Sequence, residues 1–145
     1  MNLRTIRGPE LSAVDLQTIL RLRAEVFVVE QQSPYLDVDG RDLEPGTTHY
    51  LIEDGALLAY ARTLTEPDGE RRIGRVVTAK DARGSGLGEK VMAAAVTDLG
   101  DARSVLEAQT YAQGFYARFG YVAEGEEYIE DGIPHITMRR AAHTG

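Results

Sequence analysis

Residues 83 to 88 read Arg83-Gly84-Ser85-Gly86-Leu87-Gly88, entered from a β-prone run, Ile73 to Lys80, and left by a helix-compatible run that extends to Leu99. Strand, glycine loop and helix in that order describe an anion cradle. Glycines let the backbone approach a ligand closely, and loop amides with the positive end of the following helix stabilise a diphosphate. Neither common nucleotide fingerprint fits. A Rossmann loop needs G-x-G-x-x-G, and position 89 is Glu89; a Walker loop needs G-K-[ST], which the chain lacks. A third class of diphosphate cradle is required.

The 145 residues predict a single domain spanning 1–145, with neither a linker, a repeat nor a low-complexity tract to divide it. There is no cysteine, which excludes disulfides, thiolate metal sites and a cysteine nucleophile. The first residues lack the apolar run of a signal peptide, and no stretch approaches about 18 apolar residues, so a cytoplasmic protein without a membrane partner is expected. The net charge of −7 and the absence of a Lys/Arg-rich segment argue against a nucleic-acid partner.

Leu3 to Arg7 reads as a first strand. Ser12 and Asp15 have the form of a helix start, and Leu16, Ile19, Leu20, Arg23 and Phe27 recur at helical spacing toward an end near Glu30. Gln31 to Gly46 is a long loop containing Pro34, Gly40 and Pro45, long enough to suggest a lid or wall over a site. Asp54-Gly55 and Asp68-Gly69 predict two tight hairpins. If Glu53 pairs with Ala56 and Pro67 with Glu70, then His49 lies opposite Tyr60, Thr47 opposite Arg62, and Arg62 opposite Arg75. Alternation then places His49, Tyr60, Arg62, Arg75 and Val77 on one sheet face.

Beyond the glycine loop, Leu87, Val91, Ala94 and Ala95 form an apolar stripe closed by Gly100. Ser104 to Gln109 is a strand, Ala112 to Phe119 a short helix, and Tyr121 to Tyr128 and His135 to Arg139 a last hairpin around Asp131-Gly132. The order β-α-β-β-β-α-β-α-β-β predicts an α+β protein: a mixed, mostly antiparallel sheet flanked by helices, with one parallel junction at the glycine loop.

Arg83-x-x-Gly86-x-Gly88 after the fourth strand, with Ala112, Tyr116, Gly120 and Tyr121 in the spacing A-x-x-x-Y-x-x-x-G-[FY], resembles the GNAT acyltransferase superfamily. Further segments resemble its ElaA-like branch: Val26 to Gln31, Pro34 to Asp42, Ala59 to Arg62, Ile73 to Val76, and Glu130 to His135. The likeness is nearly full length. It implies a GNAT-like twisted sheet with a parallel splay at the cofactor site, acetyl-CoA as donor with CoA as product, and a small-molecule or peptide amine as acceptor. Gln109 stands where many members carry an Asn that bonds the pantetheine arm, and offers the same amide at longer reach.

In that scheme the amine attacks the thioester directly, consistent with a chain that has no cysteine. The protein must align the two reactants, keep the amine neutral and protonate the leaving thiolate. Val76, Val77 and Thr78 are expected to bond the pantetheine amides, and the backbone of Arg83, Gly84, Ser85, Gly86, Leu87 and Gly88 to hold the diphosphate. Tyr116 is the expected general acid. A lysine-like amine is only about a thousandth neutral at pH 7.4, a penalty of roughly 4 kcal/mol, so a base is needed; His49, His135 and Glu30 are the candidates. Two opposed guanidinium groups, Arg62 and Arg75, require an anion between them if buried, either Glu107 or an acceptor carboxylate or phosphate; with Tyr60 they form the expected substrate face. The acidic segment Asp37 to Asp42 mimics a calcium loop, but Gly40 and Thr48 fall where an EF-hand needs other residues, and no metal is expected. A homodimer through an exposed sheet edge, another acyl chain as the group transferred, and a catalytically silent acyl-CoA-binding module remain open.

Overall fold

The computed structural model describes residues 1–142. The chain runs β1 (Asn2–Arg7), α1 (Ala13–Arg23), β2 (Thr48–Glu53), β3 (Leu57–Thr65), β4 (Arg71–Thr78), α2 (Leu87–Leu99), β5 (Ser104–Gln109), α3 (Gln113–Ala117), β6 (Val122–Glu130) and β7 (Ile133–Arg140). The strands form one seven-stranded sheet in the order β1-β2-β3-β4-β5-β7-β6. Every neighbouring pair is antiparallel except β4 and β5, which are parallel.

Ser12 starts α1 by accepting the Asp15 amide N–H at 3.1 Å. The Asp15 carboxylate does not return to the cap; it holds Arg4 on β1 at 2.6 Å. After Arg23 the winding widens into a π-helical segment, Ala24–Glu30, which carries the helix as far as the sequence predicts. Ile19, Leu22 and Val26 pack this helix against Leu51, Tyr60 and Val77 on one sheet face. On the other face Leu87, Val91, Met92, Ala95 and Leu99 of α2 cover Tyr50, Ile52, Ala59, Ala61, Ile73, Leu106, Ala108, Ile136 and Met138. At about 1.5–3 kcal/mol for each large apolar side chain removed from water, these two layers are the main drive to fold.

The hairpin registers differ from the simple count. Asp54 closes onto Ala56 (N–H to O, 3.0 Å), Glu53 pairs with Leu57 one residue beyond the count, and a bulge at Ile52/Glu53 adds a second, so the β2–β3 pairing moves by two residues. His49 therefore lies opposite Arg62, not Tyr60. A two-residue shift preserves the faces, so the expected grouping of side chains survives. In the β3–β4 hairpin the turn is one residue longer: Glu66 and Glu70 close it, with N–H to O at 2.8 Å. Arg62 consequently faces Gly74 rather than Arg75. A bulge follows, with Arg75 at φ 55°, and beyond it Tyr60 lies opposite Val77, as the count from Pro67 and Glu70 requires.

Candidate active site

β4 and β5 pair only at Arg71 with Ser104 and Arg72 with Val105. From Ile73 onward the strands diverge, leaving the β5-facing backbone edge of β4 without a strand partner. A cleft of about 750 Å³ occupies the divergence. Its walls include Gly74 to Thr78 of β4, Leu106, Glu107 and Gln109 of β5, Phe27, Glu30 and Gln31 after α1, and Arg83, Tyr116 and His135.

The glycine loop lies past Arg83. Gly84 and Gly86 hold φ of +88° and +77°, with nothing within 4 Å of where a Cβ would stand. Gly86 caps α2 without a side-chain hydrogen bond, and the first intrahelical bond comes from Lys90 to Gly86. The Leu87, Gly88 and Glu89 amides thus have no helical acceptor. At Gly88 a Cβ would come within 3.3 Å of Thr78 Oγ1, so a larger residue there would crowd the end of β4. An open turn of free amides at a helix start suits an anion such as a diphosphate, and an unpaired strand edge suits the amides of an extended arm. The Leu87 side chain is buried in the core, which leaves only its backbone toward the loop.

Tyr116 is half-buried on the cleft wall, edge-on to Phe115 with ring centroids 5.1 Å apart. Burial raises its phenol pKa to about 12, so it stays protonated at neutral pH. His135 lines the same cleft. Its Nδ1 lies 2.7 Å from the Ile133 carbonyl oxygen, which only accepts; Nδ1 therefore carries the hydrogen, and the neutral ring keeps its lone pair on Nε2. The ring stacks on Tyr128 at 5.8 Å and 22°. Tyr128 in turn donates to Glu107 at 2.7 Å.

Three expected acceptor-side residues lie elsewhere. His49 is fully buried, with Nδ1 2.6 Å from Tyr60 Oη and Nε2 2.7 Å from the Asp42 carbonyl; burial lowers its pKa, and neither nitrogen is free to take a proton from a substrate. Tyr60 and Arg62 are also buried and are absent from the cleft wall. Only Arg75 of the expected substrate face reaches it.

The anion between the arginines is neither Glu107 nor a ligand. Asp39 pairs with Arg62 and lies 3.5 Å from Arg75. Asp42 binds Arg23 at 2.6 Å and Arg62 at 2.9 Å, while Asp37 binds Arg23 at 2.8 Å and lies 2.8 Å from Arg75 Nε. Burial works to raise the Asp39 and Asp42 pKa values, but the arginine hydrogen bonds and charges outweigh it and hold both below the usual carboxylate range. The acidic segment that mimics a calcium loop is thus matched by arginines, which fix the loop against the sheet. Glu107 instead accepts from Arg72 at 2.7 Å, together with Thr137 at 2.5 Å and Tyr128.

Glu30 forms a two-pronged pair with Arg83, at 2.6 and 2.8 Å, which holds the carboxylate pKa down. Gln31 accepts from Gln109 at 3.3 Å, and Ser33 Oγ donates to the Asp131 carbonyl at 3.0 Å. Sequence reasoning missed Gln31, Ser33 and Tyr128. Tyr128 was accessible: counting outward from Asp131-Gly132 pairs it with His135. Gln31 and Ser33 carried no signal beyond the length of their loop.

The sequence profile of the acetyltransferase (GNAT) domain matches residues 12–142. UPF0039 protein Rv2851c of Mycobacterium tuberculosis is 43% identical over 143 residues, covering 95% of this chain and 92% of the relative. An acyl-CoA N-acyltransferase from Pseudomonas aeruginosa superposes with a TM-score of 0.92 at 43% identity, over 97% of this chain and 100% of that one. Escherichia coli ElaA does so at 0.91 and 38% identity, over 97% and 99%. With its mixed sheet, its β4–β5 divergence and a profile match over nearly its whole length, the chain belongs to the GNAT acetyltransferase family and is similar, within it, to ElaA and the UPF0039 proteins.

Proposed function

We propose that this protein transfers an acetyl group from acetyl-CoA to a primary amine of a small molecule or peptide, by direct attack with both reactants bound. The supporting observation is the cleft at the β4–β5 divergence, whose wall carries an unpaired strand edge, a protonated tyrosine and a histidine with one nitrogen locked. Gly74 to Thr78 would pair with the pantetheine amides as a missing strand would, and the amides from Arg83 to Gly88 would hold the diphosphate. The cofactor supplies an activated thioester.

Tyr116 Oη donates its proton to the departing sulfur. Its raised pKa makes it a weaker acid than a free phenol, yet the group is fully protonated when needed. His135 Nε2 accepts the amine proton, directly or through one water. The Ile133 carbonyl fixes its tautomer, and Tyr128, anchored by Glu107, fixes the ring plane. Glu30 is a poorer base, because Arg83 stabilises its charged form.

The test begins with calorimetric titration of acetyl-CoA and CoA, followed by thiol-release screening of amines. Micromolar binding together with CoA release from one amine class supports the reading. Binding without turnover across a broad panel would favour the acyl-CoA-binding module. The absence of binding would remove both.

A further inference from the structure

Glu30, Gln31 and Ser33 cross the cleft in three places. They contact Arg83 before the glycine loop, Gln109 at the end of β5, and Asp131 in the β6–β7 turn. These contacts join one short segment to three separate elements of the opposite wall. Gln109 is a residue expected above to bond the pantetheine arm, and the Arg83 guanidinium stands just before the loop whose amides are assigned to the diphosphate. A carboxylate and a phosphate use the same fork of a guanidinium, and a glutamine side chain and a pantetheine arm present the same amide. The segment is also held in an uncommon conformation. Ala24–Glu30 is wound as a π-helix, Gln31 N–H reaches Val26 O at 3.1 Å, and Gln32 has φ 51°. Pi-helical turns are rare and occur mostly at functional sites.

We infer that Glu30 and Gln31 are affinity-setting residues that compete with acyl-CoA, Glu30 standing in for the diphosphate at Arg83 and Gln31 for a pantetheine amide at Gln109. This rests on the acyl-CoA reading above. Cofactor entry exchanges these side-chain contacts for contacts with the ligand and releases the strap from the wall.

The deciding experiment is calorimetric titration of CoA into wild type, Glu30→Gln, Arg83→Gln and the double variant. Glu30→Gln removes the competing charge and should tighten CoA about two- to fivefold, the range an exposed ion pair supports. The gain should vanish when Arg83 is already Gln, since the two substitutions act through one contact. In wild type, hydrogen exchange should rise at residues 31–33 and fall at 84–88 when CoA is added. An unchanged or weakened CoA affinity in Glu30→Gln, with wild type binding normally, would overturn the inference alone. Failure of wild type to bind CoA would overturn the acyl-CoA reading and this inference with it.

Discussion

Single substitutions can probe the roles proposed for Tyr116 and His135 and the stability that Arg23 and Arg62 lend the fold. Tyr116→Phe keeps the ring on the cleft wall and removes only the donor. Turnover should fall by about 10²–10⁴-fold while CoA affinity, read by calorimetry, changes little. His135→Gln should lower acceptor kcat/KM by about 10²–10⁴-fold with CoA affinity unchanged; an unchanged melting temperature distinguishes this from misfolding. Arg62 and Arg23 lie beneath the site with Asp39, Asp42 and Asp37 as their partners. Removing one guanidinium strands buried carboxylates, so Arg62→Gln or Arg23→Gln should cost about 3–5 kcal/mol in urea unfolding. A raised acceptor KM in a fully stable Arg62→Gln protein would restore a direct substrate role.

Single elements show how sequence becomes architecture, and where it resists being read. β5 was legible to the residue, since the short run Ser104 to Gln109 begins just past the Gly100-Asp101 turn signal. The glycine loop and α2 were legible for the same reason, with Gly86 and Gly100 marking the helix ends. The hairpin registers were not, because each depends on a bulge, and the residue at one bulge, Arg75, has no composition that marks it for positive φ. The partners of the loop aspartates were equally hidden. That Asp39 rather than Glu107 would meet Arg62 depends on how a 16-residue loop lies, which no periodicity encodes. Glu70 shows a measurable consequence at this scale. The Arg139 and Arg103 side chains, from β7 and the turn before β5, hold its pKa down at about 2. A depressed carboxylate stabilises the fold above its unfolded pKa of about 4.5, and this contribution disappears as pH falls through about 2. Glu70→Gln should therefore lower stability at neutral pH and flatten its decline across that acid window, as followed by circular dichroism.

Over the whole molecule, one sheet serves two cores and one cleft. The α1 face adds the buried Arg23, Arg62 and His49 to its apolar layer of Ile19, Leu22, Val26, Leu51 and Val77. His49 links this layer to pH. Burial depresses its pKa, so between its folded value and about 6.5 the unfolded chain binds the extra proton. Stability should rise with pH toward about 6.5, and His49→Gln should remove this part of the slope in melting curves taken at successive pH values. Among the described residues no helix is long and apolar enough to cross a membrane.

The short β4–β5 pairing also gives the chain a history. Residues 1–78 contain all of β1–β4, each strand antiparallel to the next, whereas β5, β7 and β6 come entirely from residues 104–140. Vectorial synthesis therefore completes one arm of the divergence before any of the other exists. During that interval the open edge of β4, where a ligand would later take the place of a strand, is available to any extended segment nearby. On the reading proposed above, in which the cofactor takes the place of a strand, the chain leaves the ribosome with that edge of β4 already open.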